Sequence, residues 1–104
     1  MADDFPFELN ETAKKPYTDI KLNNSTFKRI FKHDVVSEEL VWHRDEKSRY
    51  VEVLEGEGWE IQFENNLPRK LRKGDYLLIP ANSYHRIKRG TTSLVVKIEE
   101  KDGI

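Results

Sequence analysis

Cysteine is absent from this chain of 104 residues, which removes disulfide frameworks, thiolate metal sites and cysteine nucleophiles together. Any metal would have to be held by nitrogen and oxygen. An excess of one charge is also lacking: Lys and Arg number 18 against 19 Asp and Glu, a formal net charge of -1. Nucleic acid and anionic membrane surfaces are given no electrostatic handle. No apolar run approaches bilayer length, and the opening MADDFPFELN carries acids and a proline where a secretory leader would carry basic residues and an apolar core. These absences predict a cytoplasmic protein with no nucleic-acid and no membrane partner. The sequence also has no nucleophile elbow in a Ser-His-Asp order and no glycine-rich phosphate loop opening a helix.

What is present is strand pattern. Apolar and polar residues alternate over 26–31, 51–54, 59–63, 76–79 and 94–98, and no segment holds helical spacing for long. Asn23-Asn24, Gly56-Glu57-Gly58, Asn65-Asn66, Lys73-Gly74-Asp75 and Pro80-Ala81-Asn82 fall between these runs as turn chemistry. Many short strands at near-regular spacing predict an all-β sandwich or barrel. The length predicts one domain over 1–104, with its core at about 26–98. In the segment 1–16, Phe5, Phe7 and Leu9 alternate, which favours an added strand over a loose tail. Residues 99–104 read as frayed and solvated.

Two stretches carry the chemistry, VWHRDEKSRYVEVLEGEGWEIQF and LRKGDYLLIPANSYHRIK. Each reads as strand, turn, strand, the signature of a β-hairpin, and each holds one imidazole, His43 or His85. If the first strand runs without a bulge, His43, Asp45, Arg49, Val51 and Val53 share one face. With His85 arriving from a neighbouring sheet, two imidazoles and a carboxylate would meet, a donor set suited to divalent iron, zinc, manganese, cobalt or nickel.

Together the stretches resemble the cupin superfamily, over roughly residues 36–98. That family's first motif sets two histidines and a glutamate between two glycines. Anchored on Gly56, it places His43 at the first histidine, Asp45 at the second, Arg49 at the glutamate and Ser37 at the leading glycine. In the second motif Gly74, Pro80 and His85 match in register, Asn82 stands for the inner glycine and Arg89 for the terminal asparagine. The resemblance implies an all-β double-stranded β-helix, or jelly-roll barrel, with its pocket at one mouth. It does not select a reaction, because fold and function separate widely in such barrels.

For the site the expectation is a divalent transition metal (Fe, Zn, Ni or Mn) on His43, Asp45 and His85, with Arg49 holding a small anionic molecule. Arg49 departs from the motif, since a guanidinium cannot ligate a metal. The alternative is therefore a metal-free binding or interaction module in which Asp45 and Arg49 pair in the pocket. Trp42 and Tyr84, each next to a candidate ligand, should point away from the pocket into core or interface. Trp59, Ile61 and Phe63 form one packing stripe, and Tyr76 with Leu78 another. His33 reads as a loop or strand-end residue. The basic residues Arg69, Lys70, Arg72, Lys73, Arg86, Lys88 and Arg89 read as a solvated face. Exposed apolar edge strands favour a homodimer.

Overall fold

The computed structural model describes residues 17–33 and 40–102. The expected strand at 1–16, Ser37 and the last two residues lie outside them. Among the described residues eight strands follow in chain order: β1 Tyr17–Lys21, β2 Thr26–Phe31, β3 Ser48–Glu55, β4 Glu60–Phe63, β5 Arg69–Lys70, β6 Tyr76–Ile79, β7 His85–Lys88 and β8 Leu94–Lys101. They form a five-stranded sheet, β1-β2-β8-β3-β6, and a three-stranded sheet, β5-β4-β7, antiparallel throughout. No α-helix occurs among the described residues.

The two expected hairpins are not hairpins. β3 pairs with β6 and β8, whereas β4 pairs with β5 and β7. The turn Gly56-Glu57-Gly58 therefore carries the chain from one sheet to the other, and Pro80-Ala81-Asn82 does the same between β6 and β7. Turn residues specify a reversal of direction, not which strands then pair. Crossing from sheet to sheet at these two turns helps roll the chain into a barrel. Gly58 makes its turn at φ 81°, a conformation open to glycine at no steric cost.

The inward faces follow the alternation. Val51 and Val53 on β3, Leu94, Val96 and Ile98 on β8, Leu77 and Ile79 on β6 and Phe31 on β2 pack against Trp59, Ile61 and Leu71 from the second sheet. The Trp59 indole is buried with its Nε1–H donated to the Thr92 carbonyl at 2.7 Å, so its polar end is satisfied. The stripe of Trp59, Ile61 and Phe63 thus packs as expected. Tyr76 and Leu78 do not: they face outward, 72% and 39% exposed, and Leu77 and Ile79 take the inner positions. A run of four apolar residues, YLLI, is silent about phase, and pairing with Arg49 and Val51 decides it.

β1 escaped the hydrophobic pattern because its inner face is polar. Asp19 accepts from Arg29 Nε at 2.8 Å and from Nη2 at 3.0 Å, and the guanidinium lies 3.8 Å over the Tyr17 ring. Ile20 meanwhile points to solvent. Nor does β8 stop at Ile98. It continues to Lys101, pairing with Ser48, Arg49 and Tyr50 of β3, so residues 99–101 are ladder rather than fray.

Candidate metal centre

His43 lies outside any named strand, and the expected continuous strand from His43 to Val53 is broken, since β3 begins only at Ser48. A single antiparallel bridge sets His43 opposite His85, the first residue of β7. Each amide donates to the other's carbonyl, His43 N to His85 O at 2.9 Å and His85 N to His43 O at 3.0 Å. Residues facing each other in such a pair send their side chains to the same face. The two rings accordingly meet with centroids 4.3 Å apart.

Asp45 joins them from the loop that follows. Its Oδ2 lies 3.4 Å from His85 Nε2 and 3.9 Å from His43 Nε2, and one ligand atom from each of the three residues falls within 4.8 Å of the other two. The loop is tied down from two sides. Asn82 N donates to the Asp45 carbonyl at 2.7 Å, and the fully buried Ser48 accepts from Ala81 N through its Oγ at 2.9 Å. Asn82, at the position of the motif's inner glycine, adopts φ 64°, a left-handed conformation that asparagine tolerates better than most residues. Ser48 was not singled out by the sequence, where it is one of several serines.

The donor set suits a divalent ion. His43 Nδ1 lies 2.7 Å from the Val41 carbonyl and His85 Nδ1 2.9 Å from the Ser83 carbonyl. A carbonyl only accepts, so both Nδ1 atoms carry the proton, and in the neutral rings the Nε2 lone pairs face the site. Asp45 Oδ2 is buried there without a hydrogen-bond partner of good geometry. Burial pushes its carboxyl pKa up, but the contact with His85 and the charge of Arg49, joined by those of His43 and His85 when their rings are protonated, outweigh burial and hold it below the ordinary range. Two imidazole lone pairs and a carboxylate facing one point repel one another until a cation is placed among them.

Arg49 reaches the centre's edge. Its Nη1 stands 3.6 Å from Asp45 Oδ2, while Nε donates to Glu100 Oε2 at 3.2 Å with Nη2 3.1 Å from the same oxygen. Glu100, which the sequence reading placed in a frayed end, is thus its principal partner. Trp42 and Tyr84 do turn away from the pocket, yet neither enters the core. They stack on each other at 5.5 Å and 18°, with Arg86 4.8 Å over Trp42 and Arg44 5.5 Å over Tyr84. Arg86 is anchored in turn by two hydrogen bonds to Gln62 Oε1. This ladder clasps the outer side of the His43–His85 bridge. His33 sits exposed in the turn after β2, as expected of a strand-end residue.

An eight-stranded barrel of two antiparallel sheets with a His-Asp-His cluster in its mouth defines a double-stranded β-helix. The chain has the fold of the cupin β-barrels, since its structural neighbours include cupin-domain proteins. It superimposes on a cupin-2 domain containing protein from Shewanella frigidimarina with a TM-score of 0.60 at 23% identity, covering 82% of this chain and 79% of that one. It matches a putative mannose-6-phosphate isomerase from Ralstonia eutropha with a TM-score of 0.62 at 21% identity, over 94% and 100% of the two chains. Identities this low carry the fold and not the activity. In sequence it is 35% identical over 79 residues to the acireductone dioxygenase of Heterostelium pallidum, 73% of this chain and 52% of that protein. The chain therefore spans about half the length of that curated relative. No protein-family model matches it.

Proposed function

We propose that this barrel binds one divalent transition metal through His43, Asp45 and His85 and presents it to a small anionic molecule, as a metal-dependent enzyme of dioxygenase or isomerase type. The observation that carries the reading is the pair of Nδ1 contacts to backbone carbonyls, which in the neutral rings leaves two Nε2 lone pairs facing the buried Asp45 oxygen. When bound, the metal would supply Lewis-acid chemistry or, if iron, chemistry with dioxygen. Arg49 has five N–H donors, so it would take an anionic group by trading part of its contact with Glu100, while its Nη1 keeps Asp45 oriented. The name of the dioxygenase relative supports the reaction class.

The test is reconstitution with Fe(II), Ni(II), Mn(II) and Zn(II), desalting and metal analysis. Roughly one ion per chain is expected for a single ligand set, falling to background in His43→Ala and His85→Ala. Part of the same reading is a homodimer. Among the described residues β6 is one edge of the five-stranded sheet, and Tyr50, Tyr76 and Leu78 are exposed together on the sheet's outer face.

A second reading is favoured by one observation, the cationic neighbour at 3.6 Å from the very oxygen a metal would use. Here the Asp45–Arg49 pair neutralises the mouth, and the protein captures a small molecule without metal. Arg49→Glu distinguishes the two: metal affinity arises only in the variant under this second reading, and is already present in the wild type under the first.

A further inference from the structure

Beneath the candidate centre the barrel turns aliphatic within one layer. The inward positions step from Arg49 to Val51 on β3 and from His85 to Ile87 on β7, while Val51 stands level with Ile98 of β8 and Ile61 of β4 with Ile87. From this layer downward the barrel holds a cavity of about 30 Å³, lined by Val51, Ile61, Ile79, Ile87, Val96 and Ile98 among other apolar side chains and by Arg49. Roughly 10–15 Å³ on this measure admits one water. The space therefore fits a guest of about two heavy atoms and excludes sugars, amino acids and nucleotides.

Water is a poor occupant. A buried water takes two to four polar partners, and the polar group lining this cavity is Arg49. The guanidinium offers donors only, with Nε and Nη2 engaged by Glu100 and Nη1 turned to Asp45. The backbone groups of the surrounding strands are paired in their ladders. An apolar void of this kind stays dry and takes apolar guests such as xenon, because a guest restores the dispersion contacts that the lining forfeits across a gap.

We propose that this cavity is a binding site for an apolar diatomic gas, dioxygen being the ligand of that class, held one layer below the barrel mouth. The inference rests on the void and its lining and stands apart from metal binding. Where the centre is charged with metal, the guest would lie on the inner side of Arg49.

The test uses the full chain, methyl-labelled at Ile, Leu and Val and kept in chelator, in solution NMR under xenon and then under dioxygen pressure. Xenon-induced shifts and dioxygen-enhanced methyl relaxation are expected to concentrate at Val51, Ile61, Ile79, Ile87 and Ile98. Both effects are expected to vanish in Val51→Ile, which adds a methylene to the wall, and in Val96→Ile, should the first variant fold poorly. Gas effects no larger at these methyls than at the exposed Ile20 and Leu22 would overturn the proposal, as would an ordered water at the cavity centre in a crystal structure. Because metal is absent throughout, the outcome is independent of whether the centre binds an ion.

Discussion

Arg49 and Glu100 face each other across the β3–β8 ladder, and the guanidinium donates from Nε to one carboxylate oxygen that also lies 3.1 Å from Nη2. The residue at the motif's glutamate position has thus changed sign, and a glutamate on the neighbouring strand compensates it. Both side chains are mostly buried, at 13% and 28% exposure, so the pair sits between the weak surface bridge and the costly buried one. A double-mutant cycle of Arg49→Met and Glu100→Gln should yield a coupling of about 1–2 kcal/mol in urea unfolding. A coupling indistinguishable from zero would mean that Glu100 does not hold the arginine.

Ser48 is the pin between the two halves of the site. Its hydroxyl is fully buried and accepts from Ala81 N, in the turn that leads to His85. Ser48→Ala would strand that amide, at a cost of about 1–3 kcal/mol. Metal affinity should fall as well, although no ligand is touched. Calorimetric titration of the variant with Zn(II) checks this, and unaltered affinity would show that the pin serves stability alone.

Asp45 gives the apo protein a defined acid limb. Its folded pKa lies below the ordinary value, so its contribution is complete above the unfolded pKa of about 3.9 and is lost as pH falls through the folded value. In chelator, the stability difference between wild type and Asp45→Asn should be constant near neutrality and shrink below about pH 4. Thermal midpoints across pH 3 to 7 are the measurement, and a difference that grew on acidification would reverse the sign of the argument.

Gly90 sets a limit on the loop before β8. A Cβ there would collide with the Glu57 carbonyl oxygen and come within 2.6 Å of the Trp59 amide nitrogen. Neither obstacle is the flexible end of a side chain, so Gly90→Ala should cost about 2–4 kcal/mol. A near-neutral unfolding midpoint for this variant would require the 57–59 turn to yield.

The strand 26–31 was legible from alternation and turn chemistry and the strand 76–79 from its flanking turns, though not its phase, and the motif spacing placed His43 beside His85 because those positions become one bridge pair. What was not legible depends on partners distant in sequence. Local turn signals made the stretches around Gly56 and Pro80 look like hairpins, and only the assembled barrel shows that β3 and β4 part company. The Arg49–Glu100 contact spans 51 positions and exists only through the β3–β8 register. Glu100 carries no local mark that separates it from a solvated terminus. Ser48 was hidden for the opposite reason, since a serine in a charged loop ordinarily faces water and this one is fully buried. Trp42 and Tyr84 obeyed the expected direction, yet they found partners in each other and in two arginines rather than in a core.

Metal stoichiometry of the reconstituted full chain, by plasma mass spectrometry, tests the central claim most directly. The account predicts about one transition-metal ion per chain in the wild type and background levels in His85→Ala. A wild-type chain that retains no metal from Fe(II), Ni(II), Mn(II) or Zn(II), while remaining folded, would contradict it.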